Sequence, residues 1–218
     1  MRIVIAGGHG QIALRLERLL AARGDEVAGI IRAEGQSGDL RSAGAEPVVL
    51  DLESASVEQI AEVLKGADAA VFAAGAGPGS SAARKDTVDR DAAVLFADAA
   101  ERAGVRRYVV ISSMGADTER EGDEVFDGYL RAKGAADEDV RRRTGLEWTI
   151  LRPGSLTDDA GKGLVRLEAS TGHGSVPRDD VAAVLAELVE SPATAGLTLE
   201  LVTGSVPVSV AAKSVAGN

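Results

Sequence analysis

Short runs of Val, Ile and Ala alternate with longer amphipathic stretches along the chain as far as Leu151. The short runs show little alternation of polar and apolar residues, which is typical of strands buried on both faces of a parallel sheet. Six such strands are predicted, at Arg2–Ala6, Glu26–Ile31, Pro47–Leu50, Ala69–Ala73, Arg107–Ser112 and Trp148–Leu151. The stretches between them carry apolar residues at helical spacing, and helices are predicted at Gln11–Arg23, Val57–Leu64, Val88–Ala103 and Tyr129–Thr144.

The regular alternation of strands and helices predicts the fold class. Parallel strands joined by right-handed helical crossovers form an α/β, doubly wound, Rossmann-like sheet with helices on both faces. In the first predicted helix, Ile12, Leu16, Leu19 and Leu20 mark the face expected to be buried.

The pattern is less regular after Leu151. The segment Asp158–Gly174 is polar and glycine-rich, so it is interpreted as a loop with one short strand. The elements predicted in this part are strands at Leu164–Glu168 and Leu197–Thr203 and a helix at Asp179–Glu190, with a frayed tail at Ala211–Asn218. The chain is predicted to be a single domain, 1–218, in which 152–218 form a small segment on the substrate side.

Composition and charge exclude several classes of function. The 218 residues include no Cys, which excludes disulfides and thiolate chemistry, and only two His, which disfavours a metal site. A net charge of −10 disfavours nucleic acid and anionic membranes as partners. The N-terminus lacks the layout of a signal peptide, so a cytoplasmic location is expected. A small-molecule substrate is the expected partner, and the oligomeric state stays open between monomer and homodimer.

The first predicted strand is followed by Gly7-Gly8-His9-Gly10-Gln11-Ile12-Ala13 and then by a helix. This is the context of a dinucleotide-binding turn, in which glycines let the backbone approach the pyrophosphate at a helix N-terminus. Both Gly8-x-Gly10-x-x-Ala13 and Gly7-x-x-Gly10-x-x-Ala13 fit the pattern. Gly7, Gly10, Gln11 and Ile12 are predicted to contact the cofactor. The alternative is a glycine-rich turn without a ligand.

Arg32 follows the second predicted strand, where NAD-binding proteins usually carry an acidic residue for the ribose 2′-hydroxyl. A guanidinium suits a 2′-phosphate, so NADP(H) is predicted over NAD(H). The alternative is an ordinary surface arginine.

Two further strand ends are predicted to contact the adenosine half of the cofactor. Asp51 and Leu52 follow the third strand and would lie beside the adenine, although Asp51 or Ser54 could instead cap the next helix. The small residues Ala73, Ala74 and Gly75 after the fourth strand would allow close approach to the ribose.

Candidate catalytic residues follow the fifth predicted strand. This strand ends in Ser112 and Ser113, and Tyr129 and Lys133 come later at a spacing that places them on one helix face. An ammonium beside a phenol stabilises the ionised phenol, and a serine hydroxyl can donate to a substrate oxygen. Ser113 is favoured over Ser112. The alternative is a core tyrosine and a solvated lysine.

These motifs together resemble the atypical short-chain dehydrogenase/reductases, the NAD(P)-binding, NAD-dependent epimerase/dehydratase-like group, over roughly residues 1–204. The resemblance implies that Lys133 also contacts the cofactor and that Pro153, Gly154 and Leu156 lie at its reactive half. No counterpart is recognised of the asparagine that completes the proton relay of better-known members.

The predicted function is that of an NADP(H)-dependent oxidoreductase acting on a small carbonyl, hydroxyl or quinone-like substrate. One alternative is an NAD(P)-dependent epimerase or dehydratase. The other is a non-catalytic NADP(H)-binding sensor or regulator, because a protein can keep the fold and the cofactor site without catalysing a reaction.

Overall fold

The computed structural model describes residues 1–77 and 86–217. The strands are β1 (Arg2–Ala6), β2 (Glu26–Ile31), β3 (Glu46–Val49), β4 (Ala69–Phe72), β5 (Arg107–Ile111), β6 (Glu147–Pro153), β7 (Ser155–Thr157), β8 (Leu164–Glu168), β9 (Ser175–Pro177), β10 (Leu197–Thr203) and β11 (Val206–Pro207). The α-helices are α1 (Gln11–Ala22), α2 (Ser37–Ser42), α3 (Val57–Leu64), α4 (Ala92–Ala103), α5 (Val125–Arg142), α6 (Arg178–Val189) and α7 (Val208–Ala216). No helix in these ranges is long and apolar enough to cross a membrane.

The main sheet has the order β11-β8-β10-β6-β5-β4-β1-β2-β3. It is parallel from β3 to β10, and β8 and β11 extend it with antiparallel pairing. Ala6 pairs in register with Ile30 of β2 and with Phe72 of β4, so these three strands end at one edge. The chain order reverses between β1 and β4, and such a switch point opens a crevice at the carboxyl ends of the strands.

Two apolar layers cover the sheet, one on each face. Ile3 and Ile5 of β1 pack on the side of α1 and α6, whereas Val4 and Ala6 pack on the side of α3 and α4. Because successive strand residues point to opposite faces, one continuous run of apolar residues serves both layers. The doubly wound α/β fold predicted from the sequence is confirmed.

The predicted face of α1 is partly wrong. Leu19, expected to be buried, is 43% exposed, whereas Glu17 is completely buried. The reason is that α1 packs against α6 on one side and lies over β2 on the other, so its buried surface is rotated from the apolar stripe.

The C-terminal tail is also more ordered than predicted. Residues 208–216 form α7, in which Ala211 and Ala212 are buried against the core, where fraying was expected. Likewise, α5 begins at Val125, one turn before the predicted start at Tyr129. The short elements α2, β7, β9 and β11 have no counterpart among the predicted ones.

Candidate active site

A cleft of about 760 Å³ opens at the carboxyl edge of the sheet, above the switch point between β1 and β4. All the residues singled out from the sequence as cofactor-binding or catalytic line this cleft. They are Gly7, Gly10, Gln11, Ile12, Arg32, Asp51, Leu52, Ala73, Ala74, Gly75, Ser113, Tyr129, Lys133, Pro153, Gly154 and Leu156. Tertiary structure thus brings together residues that are far apart in the sequence.

The turn between β1 and α1 passes very close to the end of β4. Gly7 adopts φ +78°, and a Cβ placed on it would lie 2.6 Å from the Cα of Ala74. A side chain at this position is therefore excluded both by conformation and by space. The Gly10 N–H donates to the Gly7 carbonyl at 2.9 Å, which closes the turn and presents α1 to the cleft.

The start of α1 is left without an anionic partner of its own. Gly10 provides no side-chain cap, and the first turn of the helix contains no acidic residue. The first backbone N–H groups of a helix lack intrahelical acceptors, and the helix dipole adds partial positive charge there. This edge therefore fits a phosphate group, as the glycine-rich turn predicted.

Arg32 stands at the mouth of the cleft after β2. It is exposed and makes no ion pair or hydrogen bond within the described ranges. His9 lines the same cleft, and its ring is held between the Gln36 amide at 3.2 Å and the Asp39 carboxylate at 2.7 Å. Because the Arg32 guanidinium has no partner in the described ranges, its donors are available to a ligand.

Asp51 does not cap the following helix. Its Oδ1 accepts from the Glu53 N–H at 3.1 Å and so holds the loop after β3. The N-cap of α3 is Ser56, which forms a reciprocal capping box with Gln59, so both Asp51 and Ser54 are excluded as that cap. Asp51 and Leu52 line the cleft on the Arg32 side.

Lys133 lies almost completely buried at the opposite end of the cleft. Its Nζ donates to the Ile111 carbonyl at 3.2 Å and forms an ion pair with Asp89 at 3.3 Å. The same nitrogen lies 6.0 Å from the centre of the Tyr129 ring. Burial by itself lowers the pKa of Lys133, but its electrostatic coupling to Tyr129 and to the carboxylates of Asp89 and Asp137 outweighs burial, and the pKa is raised. Lys133 is therefore held as an ammonium.

The two serines at the end of β5 have different partners. The Ser112 hydroxyl donates to Oδ2 of the buried Asp137 at 2.9 Å, and Arg152 binds the same carboxylate oxygen at 2.8 Å. Burial raises the pKa of Asp137 despite the opposing field of Arg152 and the hydrogen bond from Ser112. Within the described residues, Ser113 donates a single long bond of 3.3 Å, to the Met114 carbonyl. The hydroxyl of Ser113 is therefore less firmly held than that of Ser112.

The loop after β6 closes the end of the cleft that contains Ser113, Tyr129 and Lys133, called here the reactive end. The Met114 N–H donates to the Pro153 carbonyl at 3.0 Å, which ties the end of β5 to the end of β6. A Cβ on Gly154 would clash with the Gly174 carbonyl, so this glycine is required by the approach of the 174–177 segment. Leu156 of β7 is 39% exposed and faces the cleft.

Four residues at this end were missed in the sequence. Asp137 had a recognisable signal, since it follows Tyr129 and Lys133 at successive four-residue steps and so shares their helix face. Phe126 had a similar signal, since it precedes Tyr129 by three residues on the same helix. Asp89 and Arg178 had none, because only folding brings Asp89 to Lys133 and Arg178 to the rim of the cleft.

Comparison with known proteins identifies relatives over nearly the whole chain. A Bacillus subtilis (strain 168) protein named "Uncharacterized sugar epimerase YhfK" is 34% identical, with 98% of this chain and 99% of that protein covered. The UPF0659 protein YMR090W of Saccharomyces cerevisiae is also 34% identical, with 95% of both chains covered.

Solved structures agree with this relationship. A Bacillus halodurans protein, provisionally named an NAD-dependent epimerase/dehydratase, is 33% identical with a TM-score of 0.91, covering 98% of this chain and 99% of its own. The sequence pattern of the NAD(P)H-binding family matches residues 7–192, which include the glycine turn, Lys133 and the loop after β6. The chain therefore belongs to the NAD(P)H-binding family, of atypical short-chain dehydrogenase/reductase type.

Proposed function

We propose that the protein is an NADP(H)-dependent oxidoreductase of the short-chain dehydrogenase/reductase type, acting on a small carbonyl, hydroxyl or quinone-like substrate. The observation that carries the proposal is the grouping of Ser113, Tyr129 and Lys133 at one end of a cleft whose other end is the glycine turn. A nicotinamide cofactor is supported by the family itself.

The residues of the cleft fit a dinucleotide. The uncapped start of α1 and the closely packed turn at Gly7 and Gly10 suit a pyrophosphate. Arg32, which has no acidic partner in the described ranges, supports a preference for NADP(H), because a guanidinium can bind a 2′-phosphate with two charge-assisted hydrogen bonds. Asp51 and Leu52 would then lie at the adenine, and Ala73, Ala74 and Gly75 along the ribose.

The proton chemistry follows from the surroundings of Tyr129. A bound reduced nicotinamide supplies hydride to a carbonyl carbon. Tyr129 gives its phenolic proton to the carbonyl oxygen, and Ser113 donates a hydrogen bond to that oxygen as negative charge develops. Lys133, held charged by Asp89, stabilises the phenolate that remains. Asp89 acts as a positioning residue, because its ion pair holds the Lys133 ammonium in place.

The rim of the reactive end suits a flat apolar substrate. Phe126 is 57% exposed, and its ring stacks on Tyr129 with centroids 5.8 Å apart and planes 30° apart. The Phe126 and Tyr129 rings thus form an apolar platform, and the exposed Leu156 lines the same cleft. Such a platform favours quinone-like rings over polar sugars, because offset stacking adds to the burial of apolar surface.

The test is consumption of NADPH with a panel of quinones, aldehydes and ketones, followed by the near-ultraviolet absorbance of the reduced cofactor. Tyr129→Phe is expected to lower kcat by about 10²- to 10⁴-fold without weakening NADPH binding. The matched control is Tyr108→Phe, since Tyr108 is buried outside the cleft and donates only a long 3.4 Å bond to Ala93. Equal turnover in Tyr129→Phe and the wild type would exclude this mechanism.

An epimerase or dehydratase is the second candidate, favoured by the names of the relatives. The chain after Leu151 argues for a small substrate instead, because β8, β10 and β11 extend the main sheet rather than building a separate sugar-binding lobe. Tightly bound cofactor with no net consumption of NADPH would favour the epimerase or dehydratase.

The third candidate is a non-catalytic sensor, which would retain its function in cells when Tyr129 and Lys133 are both replaced.

A further inference from the structure

Glu17 of α1 is a buried carboxyl that the proposed chemistry does not use. Its side chain is completely inaccessible to solvent, and neither oxygen has a hydrogen-bond partner within residues 1–77 and 86–217. Buried carboxyls are normally paired or hydrogen-bonded, because an unpaired buried charge is costly. This one therefore calls for a physical reason.

The carboxyl occupies space that two glycines leave open. A Cβ on Gly8 would lie 2.9 Å from Oε1 of Glu17, and a Cβ on Gly29 of β2 would lie 2.6 Å from the same atom. Gly8 belongs to the cofactor-binding turn, and its N–H donates to the Ile30 carbonyl at 2.9 Å. The carboxyl group thus lies directly behind the backbone of the turn, on the side away from the cleft.

The surroundings favour the neutral form of this carboxyl. Burial raises the pKa of Glu17 from 4.5 to about 8, and the charge of Arg18 on the same helix opposes the rise only in part. The turn, β2 and α2 present Gly8, Gly29 and the buried Leu40 to this space. Among the charged groups of the surrounding elements, His9 pairs with Asp39 and Arg15 pairs with Asp179. Asp180 of α6 is buried, and its carboxylate accepts from the Lys162 and Gly163 N–H groups.

We propose that Glu17 is a positioning residue of the cofactor-binding turn, and that its neutral form favours dinucleotide binding whereas its carboxylate opposes it. The inference rests on the proposed binding of a pyrophosphate at Gly7–Gly10. A pyrophosphate there and a carboxylate behind Gly8 would be like charges on two sides of one backbone segment, away from bulk water. Their repulsion links cofactor binding to retention of the Glu17 proton.

The sign of the effect follows from this linkage. At neutral pH Glu17 is mostly protonated, so the dinucleotide binds without the repulsion. As the pH rises through about 8, the free protein loses the proton and binding must recover it, so the apparent affinity falls. The affinity falls further with pH until the bound protein also loses its proton.

The test compares Kd for NADPH and for NADH at about pH 7 and about pH 9.5 in wild type, Glu17→Gln and Glu62→Gln. In the wild type, Kd is expected to rise on the order of tenfold for both dinucleotides, since both carry the pyrophosphate. Glu17→Gln should show no such rise, because an amide stays neutral. Glu62→Gln, at an exposed position of α3, should behave as the wild type does. A rise that persists in Glu17→Gln would overturn the proposal.

A second measurement needs only the wild-type protein and so does not depend on the folding of a variant. Titration calorimetry with NADH at about pH 8, in buffers of different ionisation enthalpy, should show net proton uptake on binding. Absence of uptake would overturn the role of Glu17 while leaving the cofactor site intact. Absence of binding of either dinucleotide at neutral pH would instead overturn the cofactor assignment and, with it, this inference.

Discussion

The two ends of the cleft are built on opposite electrostatic principles. At the reactive end, charged groups are buried and paired, as in Lys133 with Asp89 and Asp137 with Arg152. At the turn end, the cationic Arg32 and the start of α1 lack an anionic partner in the described ranges, and the buried Glu17 is unpaired. The reactive end fixes its side chains in advance, whereas the turn end leaves its donors available for the phosphates of a ligand.

The largest change in stability is expected when the buried ion-pair partner of Lys133 at the reactive end is removed. Asp89→Ala leaves Lys133, only 4% exposed, without its 3.3 Å ion pair. We expect the free energy of unfolding to fall by about 3–5 kcal/mol, because an uncompensated buried charge remains. Urea unfolding at neutral pH measures the loss.

The matched control for this prediction is Glu62→Ala, which breaks the exposed 3.8 Å pair with Lys65 and should leave stability nearly unchanged. A similar stability for the two variants would show that the reactive end does not depend on its buried ion pair.

The next effect concerns the unpaired carboxyl of the turn end. The pKa of Glu17 is about 8 when folded and near 4.5 when exposed, so only the unfolded chain releases the proton between these values. Wild-type stability therefore falls as the pH rises through this window. Glu17→Met, which removes the titration, should gain about 3 kcal/mol over the wild type between about pH 5 and about pH 8.

Chemical denaturation of both proteins at the two pH values measures this gain, and the other titrating groups cancel in the difference. A stability difference that does not change with pH would mean that Glu17 is already ionised in the folded protein.

The smallest effect is expected at the mouth of the cleft. Arg32→Ala should weaken NADPH binding by about 1.5–3 kcal/mol, on the order of 10- to 100-fold, because hydrogen bonds to the 2′-phosphate are lost. NADH binding should change little, and protein stability should not change because Arg32 has no partner to lose in the described ranges.

Arg102→Ala is the matched control, since Arg102 is exposed on α4 and paired with Glu58 away from the cleft. Equal losses of NADPH and NADH affinity in Arg32→Ala would contradict the predicted preference for NADP(H).

Much of the fold was predictable because its strands are buried on both faces and its helices are long enough to show a period. The short elements were not, because α2, β7, β9 and β11 are stabilised mainly by their neighbours rather than by a local pattern. The same distinction holds in the site. Gly7, Gly10, Tyr129 and Lys133 form local motifs, whereas Asp89 gains its place beside Lys133 only through a tertiary contact.

The sequence by itself determined the doubly wound sheet, the glycine turn and the helix face shared by Tyr129 and Lys133, because each is encoded by spacing within a few residues. Only the tertiary structure decided which serine is engaged by Asp137, which residue pairs with Lys133, and that Glu17 rather than Leu19 is buried on α1. The burial and charge pairing of a side chain depend on which elements, distant in sequence, pack against it. The space that Gly8 and Gly29 leave for the Glu17 carboxyl therefore exists only after folding.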